Sequence, residues 1–389
     1  MNTYRFTEEH QAIWDAVARL CSNFDDNYWL ELDRGAGFPD DFVAAVARDG
    51  WLGIAMPEQH GGSGLGITEA CVMLQAVAES GAGFSGASAI HLNIFGLNPV
   101  VKFGTDAQQE RMLPPLIRGD ERACFGVTEP NAGLDTTSIQ TMATLAGDHY
   151  LVNGRKMWTS TAQSADKILL LARTASKDAS AKRTDGISLF YTKLDREFVE
   201  VREIEKMGRK AVDSNAVFID GLKIPVEDRI GEEGKGFSYI LHGLNPERIM
   251  IAVEAVGLGR AALRKAVGYA KERVVFGRPI GANQGIQHPL AKCWAELEAA
   301  NLMAFHAAQL YDAGETCGGE ANAAKYLAAE ACFHACETAV LTHGGMGYAK
   351  EFHVERYMRE AYIPRIAPVS REMILNFIGE KVLDLPRSF

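Results

Sequence analysis

The stretch CFGVTEPNAGLDTT, residues 124–137, lies where the hydrophobic period of the chain changes. Before it, residues 1–122 carry apolar side chains mostly at i, i+3 and i+4, which predicts helices. After it the period falls to two, which predicts strands. The stretch itself has a hydroxyl at Thr128 and few bulky side chains. Its backbone N–H groups could therefore approach an anionic or carbonyl-rich ligand, and the alternative is an ordinary turn.

The rest of the chain divides into two zones. Short strand-like segments continue to residue 230, and Asn153-Gly154 between two β-prone runs predicts a two-residue hairpin. Helical periodicity then returns in four long segments, which predicts an antiparallel bundle; these span residues 247–274, 284–313, 320–342 and 367–383. The predicted fold is mainly α with a central β domain. Its three domains would span residues 1–122 (helical), 123–230 (β) and 231–389 (bundle).

Composition limits what the protein could contact. The 389 residues carry a formal net charge of −10, which disfavours nucleic acid and anionic membranes as partners. No apolar run approaches the roughly 20 residues of a membrane helix, and the acidic, amphipathic start has no signal-peptide or transit-peptide pattern. The seven scattered cysteines should be reduced thiols, so a cytoplasmic location is expected.

Two short patterns formally suggest ligand sites. GAGFSG, residues 81–86, matches the dinucleotide pattern G-x-G-x-x-G, but it follows a helical segment where that fingerprint needs a strand. A glycine-rich junction between helices is the better interpretation. Cys332 and Cys336 lie one helical turn apart, with His334 pointing to the other side of the helix. We therefore expect buried small side chains there and no metal site.

Three further motifs each have a ligand-binding and a structural interpretation. In KMWTS, residues 156–160, an indole could cover a flat ring while a hydroxyl bonds the ring edge, or the indole could belong to the core. In ERVVFGRPI, residues 272–280, Arg273 could bind a phosphate or form a surface ion pair. HGGMGY, residues 343–348, would let a ligand approach the backbone closely, or would simply cap a helix.

In this order, the motifs resemble the acyl-CoA dehydrogenase family over essentially the whole chain. The resemblance lies in VTEPNAGLD, GRKMWTS, GEEGKGF, the Glu247-Arg248 pair, ERVVFGRPI, LTHGGMGY and the closing R-x-A segment. It implies an N-terminal helical domain, a middle β-barrel domain and a C-terminal four-helix bundle, in the order that periodicity predicts. It also implies FAD as the cofactor and an acyl-CoA as the substrate.

The resemblance implies roles for individual residues. Trp158 should cover the isoalloxazine ring of FAD, and Ser160 should lie near its reactive N5 edge. The other residues implied to line the flavin are Phe125, Val127 and Thr128. A homotetramer or homodimer is implied, because a neighbouring subunit's FAD should be held by Arg273, Phe276, Gln284, Gly344 and Gly345. The acyl-CoA side of the pocket is implied to comprise Gly133, Leu134, Phe237, Asn245 and Arg248.

The catalytic base is expected in the position that isovaleryl- and long-chain acyl-CoA dehydrogenases use. Most members of the family carry the base near the C-terminus, where the matching residue of this chain is Pro368, which cannot remove a proton. The isovaleryl- and long-chain-type members instead carry a Glu-Arg pair on the first bundle helix, where this chain has Glu247. A Glu after a Pro in a helix's first turn could also simply complement the helix dipole. Glu254, two turns further on, is the weaker candidate.

The implied reaction is the α,β-dehydrogenation of an acyl-CoA thioester to the trans-2-enoyl-CoA, as in fatty-acid β-oxidation. Glu247 would remove the α-proton, a β-hydride would pass to flavin N5, and an electron-transfer flavoprotein would accept the electrons. Pro368 lacks the N–H that helps to bind the thioester oxygen in the family, so either Val369 supplies that donor or the oxygen site is built differently. Two alternatives share the fold: a flavin monooxygenase or oxidase, and a catalytically silent flavoprotein subunit.

Overall fold

The N-terminal part of the protein is helical. The structure is a computed structural model that describes residues 4–176 and 182–388. The helices of this part are α1 (Glu8–Cys21), α2 (Asp26–Glu31), α3 (Asp40–Arg48), α4 (Ile67–Val77), α5 (Gly83–Phe95), α6 (Asn98–Phe103) and α7 (Asp106–Ile117). The GAGFSG motif spans the kinked connection between α4 and α5, where Gly81 has a φ of 112°. The interpretation of this motif as a helix junction is therefore confirmed.

The middle part forms one eight-stranded sheet. Its strands are β1 (Ala123–Gly126), β2 (Met142–Ala146), β3 (His149–Ser160), β4 (Lys167–Arg173), β5 (Ile187–Lys193), β6 (Val199–Glu203), β7 (Ser214–Pro225) and β8 (Arg229–Ile230). Neighbouring strands follow the order β6-β7-β3-β2-β4-β5-β8, and β1 pairs in parallel with β4. The predicted central β domain is thus confirmed.

The predicted hairpin at Asn153-Gly154 is wrong. β3 runs straight through both residues, and the turn that joins β2 to β3 lies at residues 147–148. A Cβ atom at Gly154 would lie 2.3 Å from Thr141 Oγ1, so the glycine permits a close approach of another side chain. It also lies at a shift in the pairing between β3 and β7, where a bulge commonly uses glycine.

The C-terminal part is a helix bundle with a small hairpin. Its elements are α8 (Gly236–Glu272), β9 (Val274–Val275), β10 (Arg278–Pro279), α9 (Gln284–Asp312), α10 (Gly318–His343), α11 (Val354–Glu360), α12 (Ile363–Ile366) and α13 (Arg371–Phe377). Together with the other two parts, the bundle confirms the predicted three-part architecture.

Two predicted helix boundaries in the bundle are wrong. α8 begins at Gly236, well before the predicted start at residue 247, and it continues through Pro246. The predicted helix over 367–383 begins only at Arg371, because Pro368 has no N–H for a helical hydrogen bond. The start of α8 lies against β5, since a Cβ atom at Gly236 would be 2.4 Å from the backbone nitrogen of Leu189. With 37 residues, α8 extends about 55 Å from the sheet to the far end of the bundle.

All seven cysteines are buried free thiols. Cys332 and Cys336 are fully buried, whereas His334 Nδ1 lies 2.6 Å from Glu296 Oε2 near the surface of the bundle. The predicted opposite orientation of this histidine is confirmed. Across residues 4–176 and 182–388, no helix combines the length and apolar character needed to cross a bilayer.

Arg359 joins all three parts of the fold. Its guanidinium donates to Asp33 at 2.6 and 2.9 Å, to Glu355 at 2.7 and 3.0 Å, and to the carbonyl of Met207 at 2.8 Å. Asp33 is only 2% exposed. Burial acts to raise the pKa of Asp33, but Arg359 holds that pKa below its ordinary value. The ion pair therefore compensates a carboxylate that water cannot reach.

We expect Arg359→Met to lower the free energy of unfolding by about 3–5 kcal/mol at neutral pH, because Asp33 would stay buried without its counter-charge. A carboxyl with a depressed pKa stabilises the fold above its unfolded-state pKa, and this contribution disappears as the pH falls through the folded-state value. The difference from wild type should therefore shrink in acid. Urea unfolding at neutral and acidic pH measures it. Arg34→Met, which removes an exposed pair with Glu31, is the control and should change little.

Candidate active site

An apolar cavity lies between the N-terminal helices, β1 and α8. It is small and is lined by Gly96, Pro99, Phe125, Ile240, Gly243, Leu244 and Glu247. A second, narrower cavity shares Gly96 and Phe125 with it. Within the described chain, Glu247 is the one carboxylate that lines either cavity. Together the two cavities form an apolar recess, which contains one acidic group of the described chain, the Glu247 carboxyl.

Glu247 lies in the interior of α8, eleven residues after the helix begins at Gly236. The alternative that it complements the dipole of a first helical turn is therefore wrong. Burial raises the pKa of the Glu247 carboxyl above its ordinary value, although the positive charges of His91 and Arg248 act in the opposite direction. A carboxylate with a raised pKa is a stronger base, as proton removal from carbon requires.

Glu254 faces a different partner. It is fully buried, and its Oε1 lies 2.6 Å from Nδ1 of His91 on α5. Burial acts to lower the pKa of His91, but the Glu254 carboxylate raises it overall. Glu254 does not line the cavity beside Glu247. Glu254, the weaker candidate base, is therefore engaged in a buried pair with His91.

The residues expected to line the flavin lie together along two adjacent segments. The N–H of Met157 donates to the carbonyl of Thr128 at 2.8 Å, which sets residues 125–128 beside the end of β3. Buried Lys156 fixes the same arrangement, since its Nζ donates to Val127 O at 3.1 Å and to Glu129 Oε1 at 2.8 Å. This surface continues into the apolar recess, because the side chains of Phe125, Val127 and Phe237 pack against one core cluster.

Trp158 projects from the sheet. Its side chain is 57% exposed, which excludes the core interpretation of this residue. Its φ is 61°, and it lies where the pairing of β3 with β7 shifts between Lys156 and Thr159. A bulky residue rarely adopts positive φ, and such strain clusters at ligand sites. The bulge leaves the indole exposed, two residues before Ser160 along the strand, as a flat surface for a ring.

Two cations of the site, Lys325 near Glu247 and Arg209 beside Ser160, were missed in the sequence. Lys325 on α10 is almost fully buried, and its Nζ donates to the carbonyl of Val369 at 2.5 Å; its charge also acts to lower the pKa of Glu247. Arg209 donates to Ser160 Oγ at 3.0 Å. A lone lysine in the Ala-rich segment of α10 could have been noticed, whereas Arg209 stands in an ordinary polar loop. Lys325 thereby ties the residue after Pro368 to the bundle.

The residues expected on the acyl-CoA side are only partly brought together. Arg248 Nη1 donates to Asn245 Oδ1 at 3.1 Å, one helical turn away on α8. Both lie within two residues of Glu247 in the chain. Gly133 and Leu134 instead occupy an exposed loop and do not line the apolar recess.

The remaining predicted residues lie at the far end of the bundle. Arg273 follows Glu247 by 26 positions along α8 and its cap, which corresponds to about 39 Å. The rings of Tyr269 and His343 stack at 4.3 Å and bring the C-terminal ends of α8 and α10 together. Gln284 begins α9 at this same end, and Gly344 and Gly345 follow α10. These residues cannot reach the Glu247 of their own chain.

Phe276 lies at the end of the bundle that is far from Glu247, on the surface that we call the distant surface. Residues 276–277 form the two-residue turn between β9 and β10, and both have positive φ. The Phe276 side chain is fully exposed. Asn-Gly is the preferred sequence for such turns, so the turn conformation does not explain why a phenylalanine stands there. Met346 and Tyr348 are also exposed, and exposed apolar patches of this kind mark contact surfaces.

Comparisons with known proteins agree over the whole chain. Models described as the acyl-CoA dehydrogenase N-terminal, middle and C-terminal domains match residues 7–120, 124–222 and 234–383. Acyl-CoA dehydrogenase fadE12 of Mycobacterium bovis is 38% identical, covering 98% of each chain. The caffeyl-CoA reductase-Etf complex subunit CarC of Acetobacterium woodii is 36% identical over 86% of this chain and 87% of its own. The solved structure of butyryl-CoA dehydrogenase from Megasphaera elsdenii superposes with a TM-score of 0.92 at 30% identity, over 98% and 99% of the chains.

Proposed function

Since the chain belongs to the acyl-CoA dehydrogenase family, whose members are FAD-dependent flavoproteins, we propose that it oxidises an acyl-CoA to the trans-2-enoyl-CoA with Glu247 as the base. One observation carries the proposal: Glu247 is the one carboxylate lining the apolar recess of the described chain. Pro368, at the family's more common base position, cannot take a proton.

The residues of the site suit FAD. The outward indole of Trp158 provides a flat face, and the Ser160 hydroxyl beside it can bond a ring edge. Arg209 supplies a positive charge next to that hydroxyl. FAD, when bound, supplies the acceptor for the hydride that leaves the β-carbon. Phe125, Val127 and Thr128 are proposed as further flavin contacts, supported by the hydrogen bond from the Met157 N–H to the Thr128 carbonyl.

Glu247 and its surroundings perform the proton transfer. The α-proton of a thioester is weakly acidic, so the base must be strong and water must be excluded. The apolar lining meets both needs, because burial raises the pKa of Glu247. The thioester oxygen needs a donor in place of the N–H that Pro368 lacks. Lys325 holds the carbonyl of Val369, and this fixed backbone supports Val369 N–H as that donor.

The proposal extends to substrate, assembly and location. No cation of the described residues lines the recess, so we propose an uncharged acyl chain. The acyl-CoA side would comprise Gly133, Leu134, Phe237, Asn245 and Arg248. The distant surface of Phe276 supports a homotetramer or homodimer that completes each FAD site.

Similarity to an Etf-complex subunit supports an electron-transfer flavoprotein as the acceptor of the electrons. The free cysteines support a cytoplasmic location.

Anaerobic titration of the purified protein with a panel of saturated acyl-CoAs tests the reaction. We expect the visible flavin absorbance to bleach with at least one of them, and the enoyl-CoA to form in equal amount. A protein that stays oxidised with every acyl-CoA would contradict the dehydrogenase assignment. Rapid reoxidation by air coupled to an oxygenated product would favour the monooxygenase or oxidase. Acyl-CoA turnover by a homo-oligomer would exclude the silent-subunit alternative.

A further inference from the structure

Arg209 is a charged residue whose partners are all neutral. Its Nη2 donates to Ser160 Oγ at 3.0 Å and to Ser214 Oγ at 3.1 Å, and its Nη1 donates to Ser88 Oγ at 3.3 Å. These hydroxyls belong to β3, β7 and α5. Arg209 therefore sits where the sheet meets the N-terminal helices, immediately beside Ser160.

No carboxylate of the described residues pairs with this guanidinium. Within residues 4–176 and 182–388, none lies within 4.0 Å of its nitrogens, and its buried Nε has no hydrogen-bond partner. The nearest opposing charges, Glu360, Asp213 and Glu254, act only from a greater distance. Arg209 is half-buried, and a cation partly removed from water is stabilised when a negative charge approaches it. Among the described residues, the fold thus gives this positive charge distant carboxylates but none in direct contact.

The backbone of Arg209 is also unusual. Its φ is 53°, in the left-handed region that an arginine seldom occupies. Strain of this kind persists only where the surrounding structure imposes it, commonly at a ligand site. A loop that needed only hydrogen bonds to three serines would not require an arginine in this conformation. The backbone strain and the lack of a contacting carboxylate among the described residues both indicate that this arginine serves a bound ligand.

We propose that Arg209 is a positioning residue that orients Ser160 and supplies positive charge to the flavin ring, favouring the reduced state of bound FAD. The inference rests on the proposed function for the placement of FAD beside Trp158 and Ser160. Two-electron reduction brings two electrons and one proton to the ring, so the ring gains one negative charge. A nearby guanidinium stabilises that charge, which the oxidised ring lacks, and therefore raises the reduction potential.

The midpoint potential of the FAD in the purified holoenzyme tests the proposal without any acyl-CoA. Reduction by xanthine and xanthine oxidase, with a reference dye, measures it. We expect Arg209→Gln to weaken two-electron reduction at least about tenfold, which is a potential lower by about 30 mV. A unit charge within about 6 Å at an effective dielectric of about 20 is sufficient for this. Arg209→Lys keeps the charge and should restore most of the potential.

Ser88→Asp is a second variant that keeps Arg209 in place. Ser88 Oγ lies 3.3 Å from Arg209 Nη1, so a carboxylate there would pair with the guanidinium and neutralise it. The potential should fall in the same direction as in Arg209→Gln. This variant decides the question even if Arg209→Gln does not retain FAD.

Arg173→Gln is the matched control. Arg173 is buried in the same sheet and donates to the carbonyls of Ile139 and Thr137. Its neighbour Met142 pairs with Asn153, seven residues before Ser160 along β3, which is about 23 Å. An unchanged potential in Arg209→Gln or Ser88→Asp holoenzyme would overturn the proposal, as would an equal shift in Arg173→Gln. Failure of acyl-CoA oxidation alone would affect only the proposed function.

Discussion

Glu247→Gln should slow the reduction of bound FAD by acyl-CoA by roughly 10²–10⁴-fold, the usual contribution of a general base. Glutamine has nearly the same shape, so FAD should stay bound and the fold should persist. The effect follows from the recess, because no second carboxylate of the described chain lines it, and Pro368 cannot substitute. Anaerobic stopped-flow mixing with a saturating acyl-CoA measures the rate directly.

Glu254→Gln is the control for this prediction. Glu254 lies on the same helix, seven positions after Glu247, but it faces His91. We expect the Glu254 variant to be less stable and still reducible by substrate. In wild type the reductive rate should rise with pH as Glu247 loses its proton, through an apparent pKa above the ordinary carboxyl value. Rapid reduction of Glu247→Gln, or a loss of reduction only in Glu254→Gln, would reject Glu247 as the base.

Phe276→Asn should dissociate the proposed homo-oligomer and release FAD, while leaving the chain folded. Asn-Gly is the preferred pair for a two-residue turn with positive φ, so the substitution improves the local conformation and removes only the aromatic side chain. Burial of a phenylalanine contributes about 1.5–3 kcal/mol, or roughly 10–150-fold in affinity for each contact. A two-fold interface contains the contact twice, which doubles the loss in free energy.

Light scattering during gel filtration and the ratio of flavin to protein absorbance measure the two effects of Phe276→Asn. Arg273→Gln, at the same end of the bundle, should also lose FAD. Unlike Phe276→Asn, it does not change the turn at residues 276–277. Leu145→Asn is the control, because Leu145 is an exposed apolar residue of the β domain. If Phe276→Asn keeps the wild-type mass and FAD content, the distant surface does not hold a neighbouring subunit's cofactor.

Periodicity predicted the zones of the chain because each depends on local pattern. Helical spacing before residue 122, alternation up to 230 and helical spacing afterwards match the helices and strands that form. The Asn153-Gly154 hairpin failed because the contact that requires Gly154 comes from Thr141 and from the pairing with β7. The start of α8 was missed because Gly236 and Pro246 are poor helix formers, and packing against β5 outweighs their propensity.

The site residues also fall into two groups: those that local motifs identify and those that only the folded chain brings together. Glu247, Trp158 and Phe276 could be named from motifs, because a motif is a local record of residue type and spacing. Arg209 could not, since its partners Ser88 and Ser160 are 121 and 49 positions away. The same is true of Lys325 and Val369, and of the His91–Glu254 pair, which joins residues 163 positions apart.

The sequence by itself determined the family, the order of the three domains and the identity of the candidate base. These depend on local periodicity and on residue types at short spacing. Only the tertiary structure decided which charges surround Glu247, that Arg273 lies about 39 Å from it along the bundle, and that Arg209 has no carboxylate in contact among the described residues. The physical reason is that burial and Coulomb interactions depend on distances through space, which chain folding sets and spacing along the chain does not.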